Sequence, residues 1–296
     1  LKNFTLLSLI GTFVCLACAS CEIINPDEQI PSYVYITPAK VNNLIGKSET
    51  GIAAYHLFIN DQSIGVYEPE SSDTIPVLAE GTTKIEIQPF IWRNGISADA
   101  QPSPLHTHHI DNEFEFSVDA ITTIDPTFEY APSLFNEDLP FNQDFNSSSN
   151  FIIVSGSNSA LPNTTSLSSE VFEGTRSLKV LLDDNKPSFN IQNGQAFGMD
   201  KFADAIYLEM MYKCDQIFTV KLDVCCDNGV AFVADVINIS PKDDWNRIFI
   251  ELTDEVRLFE ISEDRAFKIQ FEATKPDDVE TATFFFDEIR ILEREF

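Results

Sequence analysis

Phe267-Lys268-Ile269-Gln270-Phe271-Glu272-Ala273 sets an apolar side chain at every second position and a polar one between. In an extended chain successive side chains point to opposite faces, so this stretch reads as a strand with one face in a core and the other in water. The rhythm recurs at Leu178, Val180 and Leu182, and again at Ile248, Ile250 and Leu252. It runs through the first half too. Tyr55, Leu57 and Ile59 share a face, Ile85 and Ile87 oppose Lys84, Glu86 and Gln88, and Phe114, Phe116 and Val118 alternate with Glu113, Glu115 and Ser117. Asn94-Gly95 and Asp227-Asn228-Gly229 are hairpin turns, the second joining residues 218–226 to 230–237. A helical stripe shows only for a turn or two near residues 254–259. The expected fold class is therefore all-β.

The 296 residues exceed a usual single domain. Asp125-Pro126, Pro132 and Pro140 punctuate a stretch with few apolar residues at strand spacing, which marks residues 126–140 as a linker. It separates a small β-sandwich over 33–125 from a larger jelly-roll β-sandwich over 141–296, in which eight or nine strands form two packed sheets.

The start of the chain is different. Lys2 precedes an uncharged apolar run over residues 4–19 that ends at Ser20-Cys21-Glu22, short of the about 20 residues a membrane span needs. Residues 1–20 are expected to be a signal peptide and residues 21–32, with Pro26 and Pro31, a tether. Ala19-Ser20 before Cys21 resembles the lipobox of bacterial lipoproteins. The resemblance implies acylation of Cys21, palmitate among the chains, and a lipid-anchored place in the outer membrane of a Gram-negative cell envelope, on its periplasmic face or at the surface. Cys18, behind Leu16-Ala17, is the competing acceptor.

Without residues 1–20 the chain carries 18 Lys plus Arg (19 less Lys2) against 47 Asp plus Glu, a balance of −29. Such a surface repels phosphate backbones, so nucleic acid is excluded as a partner. Divalent cations and neutral polymers are not. Cys214, Cys225 and Cys226 form no disulfide framework, because Cys214 and Cys225 are expected at the ends of successive strands, a strand length of roughly 30 Å apart. They read as packed free thiols.

Two stretches carry family resemblances. Leu57-Phe58-Ile59-Asn60-Asp61-Gln62-Ser63-Ile64-Gly65, followed by residues 75–87, resembles the PEGA-type β-sandwich module of bacterial envelope proteins, a resemblance that implies a binding or spacer unit without chemistry. Phe141-Asn142-Gln143-Asp144-Phe145, residues 173–180, Trp245-Asn246-Arg247-Ile248-Phe249-Ile250-Glu251-Leu252 and Phe284-Phe285-Phe286-Asp287-Glu288-Ile289-Arg290-Ile291 together resemble the jelly roll of carbohydrate-binding modules.

Period two puts Asp287 on the side of Phe285, Ile289 and Ile291, toward the core, where an unpaired carboxylate costs several kcal/mol. The second resemblance implies that it helps hold a structural Ca²⁺ with oxygens of Asn142, Gln143 or Asp144, ligands of the right hardness. The alternative is that Asp287 accepts backbone N–H groups or pairs with Arg176 or Arg290. Trp245, with Tyr212 or Tyr207, is the candidate stacking platform for a sugar, or else closes the end of a core. His106, His108 and His109 offer imidazoles to a metal, but after Pro102 and Pro104 they are expected in a solvated loop.

Catalytic patterns are missing. Gly46-Lys47-Ser48 matches only the tail of a phosphate-binding loop, Gly156-Ser157-Asn158-Ser159 ends in Ala160 where a nucleophile elbow needs glycine, and no carboxylate pair stands out. Asp73-Thr74-Ile75 resembles an O-glycosylation acceptor and reads equally as a plain loop. The expected function is a non-enzymatic envelope lipoprotein that binds a glycan or an envelope protein partner. A structural subunit of an outer-membrane complex and a polysaccharide-degrading enzyme are the alternatives.

Overall fold

The computed structural model describes residues 29–42, 50–69, 74–131, 139–154, 159–225, 232–258 and 266–294. The signal peptide, the lipidation candidate Cys21, the Asp227-Asn228-Gly229 turn, Cys226 and Asp73 lie outside the described residues.

The fold is all-β. The first ten strands are β1 (Ser32–Ile36), β2 (Lys40–Asn42), β3 (Ile52–Ile59), β4 (Gln62–Tyr67), β5 (Ile75–Val77), β6 (Gly81–Trp92), β7 (Ala100–Pro102), β8 (His109–Phe116), β9 (Ile121–Ile124) and β10 (Thr127–Glu129). They build a sheet of order β4-β3-β6-β7, with β8 also on β6, facing a sheet β5-β1-β9 and the pair β10-β2. Tyr55, Leu57, Ile59, Ile85 and Ile87 fill the space between them, on the face their alternation predicts. The stretch expected to be a linker opens differently. Thr127–Glu129 pairs parallel to Lys40–Asn42, because Phe128 is an apolar anchor fully buried in this core, and three residues are too few to show an alternation in sequence.

The remaining strands among the described residues are β11 (Asn142–Gln143), β12 (Phe151–Ile153), β13 (Asn163–Thr165), β14 (Ser177–Leu182), β15 (Ser188–Asn193), β16 (Ala205–Cys214), β17 (Phe218–Cys225), β18 (Phe232–Ile239), β19 (Lys242–Glu251), β20 (Ala266–Thr274) and β21 (Ala282–Arg294), with a short α-helix, α1 (Thr253–Leu258), after β19. They form two antiparallel sheets packed face to face, β13-β14-β21-β16-β19 with β11 on β21, and β12-β15-β20-β17-β18. Between them lies an aromatic core in which Phe151, Phe271 and Phe286 stack at 5.5 and 4.8 Å and Phe218 meets Phe271, Phe284 and Phe286 edge-on. Cys214 ends β16 as a free, buried thiol, and burial pushes its pKa up to about 12.

The two sheets differ in what covers their outer faces. The β15, β17 and β20 strands keep strict alternation, with Phe189, Ile191, Val220, Leu222, Ile269 and Phe271 inward. In β16 and β21 both faces are buried. The first half of the chain packs against their outer side, where Ile91, Leu105 and Tyr130 meet Tyr207, Phe249 and Leu292 in a third core. The two sandwiches thus share a dry junction.

Candidate functional site

The outward face of β15, β20 and β17 is a band of hydrogen-bonding groups. Core residues fix its composition: each strand sends its apolar positions inward, so Asn190 and Gln192, then Lys268, Gln270 and Glu272, then Thr219, Lys221 and Asp223 point out. Register aligns them in rows, Gln192 beside Gln270 beside Lys221, and Asn190 beside Glu272 beside Thr219. Lys221 Nζ bridges Glu272 (2.5 Å) and Asp235 (3.1 Å). With its amide turned to suit its neighbours, Gln192 donates to Asp223 Oδ2 (3.2 Å) and accepts from Lys268 Nζ (3.1 Å). Burial lifts the Asp223 carboxyl above its usual range, and Lys268 partly pulls it back.

Two buried acceptors on this face have no partner among the described residues, Gln270 Oε1 and Asn190 Oδ1. Gln270 is only 3% exposed, so its unmet oxygen costs about 1–3 kcal/mol. Donors and acceptors of both kinds, held by neighbours on rigid strands, suit a neutral polyhydroxylated ligand. No pattern in the sequence marks this face as functional; its polar positions look like any wet side of a strand.

The residues singled out from sequence lie elsewhere. Trp245 sits on the outer face of the other sheet, half-buried against Phe172 (5.7 Å) and Phe285 (6.3 Å). Tyr212, one residue from Trp245's cross-strand neighbours, points the opposite way into the core, edge-on to Phe218 at 5.7 Å. Tyr207 is buried at the junction, its hydroxyl accepting from Gln101 Nε2 at 3.1 Å. The three rings do not converge on one platform.

Asp287 is buried, but not on the core side. Glu288 adopts a left-handed backbone (φ 47°) and the pairing with β16 shifts there, a β-bulge that reverses the alternation. Phe284, Phe286, Ile289 and Ile291 face the core, whereas Phe285 and Asp287 face away from it. Asp287 Oδ2 accepts from Ser177 Oγ (2.6 Å) and Glu173 N (3.3 Å), and Oδ1 from Glu288 N (3.0 Å). Burial raises its pKa to about 6 against these bonds. Asp144 is tied to Asn146 through N (3.1 Å) and Nδ2 (3.2 Å). The neighbouring Glu288, close enough to feel Asp144 and Asp287, is fully buried with both carboxylate oxygens lacking a hydrogen-bond partner, and burial raises its pKa to about 7. Tested as a cation site, this donor set fits better through Glu288 than through Asp287, whose oxygens are already engaged.

The junction holds the strongest electrostatics. Glu209 of β16 accepts from Arg247 of β19, from Tyr130 Oη at 2.5 Å, and pairs with Arg290 of β21 at 3.1 Å. Burial alone would raise the Glu209 pKa, but Arg290, Arg247 and the Tyr130 hydroxyl outweigh it, and the carboxyl lies below its usual range. At the rim Arg93 pairs with Glu251 (3.2 Å), Asn94 N donates to Phe249 O (2.9 Å), Glu251 N donates to Asn94 Oδ1 (2.8 Å), and Arg294 donates to Pro104 O (2.6 Å). His106 is part of this junction rather than of a solvated loop. It is 4% exposed, tilted against the Tyr130 ring at 4.7 Å, with Nδ1 on Ser103 Oγ at 2.7 Å, and burial lowers its pKa to about 4. His108 instead pairs with Glu86 at 2.6 Å near the surface. Among the described residues no three His, Cys, Asp or Glu side chains cluster as metal ligands, and no helix is long and apolar enough to cross a membrane.

No protein-family model matches the sequence, and no curated protein matches it. Among solved structures, TmCBM61 in complex with β-1,4-galactotriose is 13% identical and covers 55% of this chain and all of its own, with a TM-score of 0.36. The family 22 carbohydrate-binding module of Clostridium thermocellum Xyn10B is 14% identical, covering 52% of this chain and 94% of its own at a TM-score of 0.35. The enzymatically active domain of a bacteriophage CBA120 tailspike protein matches 59% of this chain with 25% of its own, at 10% identity and a TM-score of 0.40.

Proposed function

We propose that this chain is a non-catalytic binding protein of a bacterial outer membrane, lipid-anchored through Cys21, that holds a neutral glycan on the outward face of β15, β20 and β17. The observation that carries this reading is the pair of acceptors without a partner among the described residues, Gln270 Oε1 and Asn190 Oδ1, set in an ordered row of amides and charges on the outward sheet face, where Lys221, Lys268 and Glu272 are the more accessible groups. Interactions of this kind position sugar hydroxyls and need no general acid or base. In this reading the small sandwich, PEGA-like in rhythm, is a stand-off locked to the jelly roll. A Ca²⁺ held by Asp144 and Asp287 would be structural and would need its other oxygens from backbone or water, since no three acidic side chains among the described residues cluster there; melting with calcium and with chelator tests it, and identical transitions would remove the ion from the account.

A glycan array probed with the full chain and with Gln270→Ala and Asn190→Ala tests the binding reading. Neutral oligosaccharide signals that fall about tenfold in the variants support it, since one hydrogen bond is worth about 1.4 kcal/mol. Signals indifferent to both substitutions refute it. A second reading, a structural subunit of an envelope complex, rests on the edge strand β4, which has no strand on its outer side and exposes Val66 at 51%. Crosslinking that captures one dominant envelope protein through β4 would favour it.

A further inference from the structure

A cleft of about 510 Å³ opens where the two sandwiches meet, apart from the sheet face above. It lies in the size range of small-molecule sites, which favour such junctions. Its walls come from both halves of the chain: Trp92 and Thr50 from the first, Lys242, Asn246 and Phe249 from the second.

Several features make it a formed cavity rather than a loose gap. Gly51 and Gly95, both lining it, have φ of +70° and +68°. A Cβ on Gly51 would stand 2.6 Å from Phe249, and one on Gly95 would stand 2.8 Å from Ile248. The backbone of the first half is therefore pressed onto β19 as closely as glycine permits. At the end of β6, Ile91 turns into the junction core while Trp92 turns out and stays 43% exposed at the cleft. An indole left half in water beside a cavity is a ready stacking surface.

The chemistry of the lining selects the ligand. Arg247 at the floor has its charge answered by buried Glu209, so it offers little to an anion. Among the described residues, the exposed charges that remain on the lining are one cation, Lys242, and one anion, Glu68. A balanced rim with an amide and a hydroxyl beside a bare aromatic face fits a flat, uncharged ring carrying hydroxyls. We infer that this cleft is a second binding site, for a neutral sugar ring stacked on Trp92 and hydrogen-bonded through Asn246 and Lys242. Because both sandwiches build it, it exists only while they stay docked.

The test uses full-length protein labelled with 5-fluorotryptophan, whose two ¹⁹F resonances report Trp92 and Trp245 separately, assigned with Trp92→Phe. β-1,4-Galactotriose, cellotriose and xylotriose are the probes. The expected result is a saturable shift of the Trp92 resonance with at least one trisaccharide, no shift of Trp245, a loss of apparent affinity of about tenfold in Asn246→Ala, and no loss in Gln270→Ala. A Trp92 resonance unmoved by all three probes overturns the inference. So does a shift that survives Asn246→Ala together with Lys242→Ala, or one that Gln270→Ala abolishes, which would assign the ligand to the sheet face alone. Circular dichroism of each variant shows that it is folded before titration.

Discussion

Glu209→Ala removes the acid that pairs with two buried arginines. In the folded chain Glu209 and Arg247 have no exposed side-chain surface, Arg290 has almost none, and Tyr130 donates its hydroxyl to the same carboxylate. Truncation takes that carboxylate from both guanidinium groups in a buried junction. Breaking a buried pair by deleting one side costs about 3–5 kcal/mol, and at roughly 2–4 °C per kcal/mol for a chain of this size the melting temperature falls by roughly 10 °C. The loss concerns the docking of the two halves as much as the jelly roll itself, because Tyr130 belongs to the first half and Arg290 to the second. Urea denaturation reads this directly: Trp92 reports the first sandwich and Trp245 the second, so their fluorescence transitions should separate in the variant and coincide in the parent. Replacing the three charges together, Glu209→Leu with Arg247→Met and Arg290→Met, should recover part of the loss, since neither buried guanidinium remains, while buried Glu288 loses the cations beside it. A Glu209→Ala variant that loses less than about 1 kcal/mol would behave like a surface ion pair and refute the reasoning.

Three further outcomes follow from the same structure. His106, with a folded pKa near 4 against an ordinary 6.5, is neutral in the fold while the unfolded chain takes up a proton; its contribution is complete above pH 6.5 and is lost as pH falls to 4, by about 3 kcal/mol. Stability curves of the parent and of His106→Phe should therefore diverge across that window, and parallel curves would count against burial. Gly51→Ala places a side chain in a left-handed backbone and against Phe249, which should cost about 2 kcal/mol in chemical denaturation and loosen the cleft; a neutral substitution would mean the contact is not tight. Ser177→Ala removes the hydroxyl that Asp287 holds at 2.6 Å and should destabilise by about 1–3 kcal/mol, measured by thermal melting, with no change if water replaces it freely.

The second jelly-roll sheet was readable because one of its faces is wet. There the alternation of Phe267 to Ala273 maps one-to-one onto inside and outside. The other sheet defeats the same reading. Its outer face is buried under the first half of the chain, so Ile206 to Tyr212 and Phe284 to Phe286 run nearly unbroken in apolar residues, and period two loses its contrast. The bulge at Glu288 then shifts the parity by one, which is why Asp287 reads as core-facing in sequence and faces the opposite side in the fold. The junction cluster was invisible for another reason. Tyr130, Glu209, Arg247 and Arg290 come from four distant segments, and one buried acid among 47 carries no local mark. His106 misled through its proline-rich surroundings, which suggested a wet loop where Tyr130 and Phe249 cover the ring. Trp245, beside exposed Asp243 and Asp244, packs against Phe172, whereas Trp92 is 43% exposed at the cleft.

The most direct test of the binding account is an NMR titration of the full chain with a neutral oligosaccharide taken from the glycan array, following the side-chain amide groups of Asn190, Gln192 and Gln270. Saturable shifts concentrated on these three amides and on the backbone of β15, β17 and β20 are the predicted result. Amides of Asn190, Gln192 and Gln270 that stay unmoved at saturating ligand, whatever shifts at the junction cleft, would contradict it.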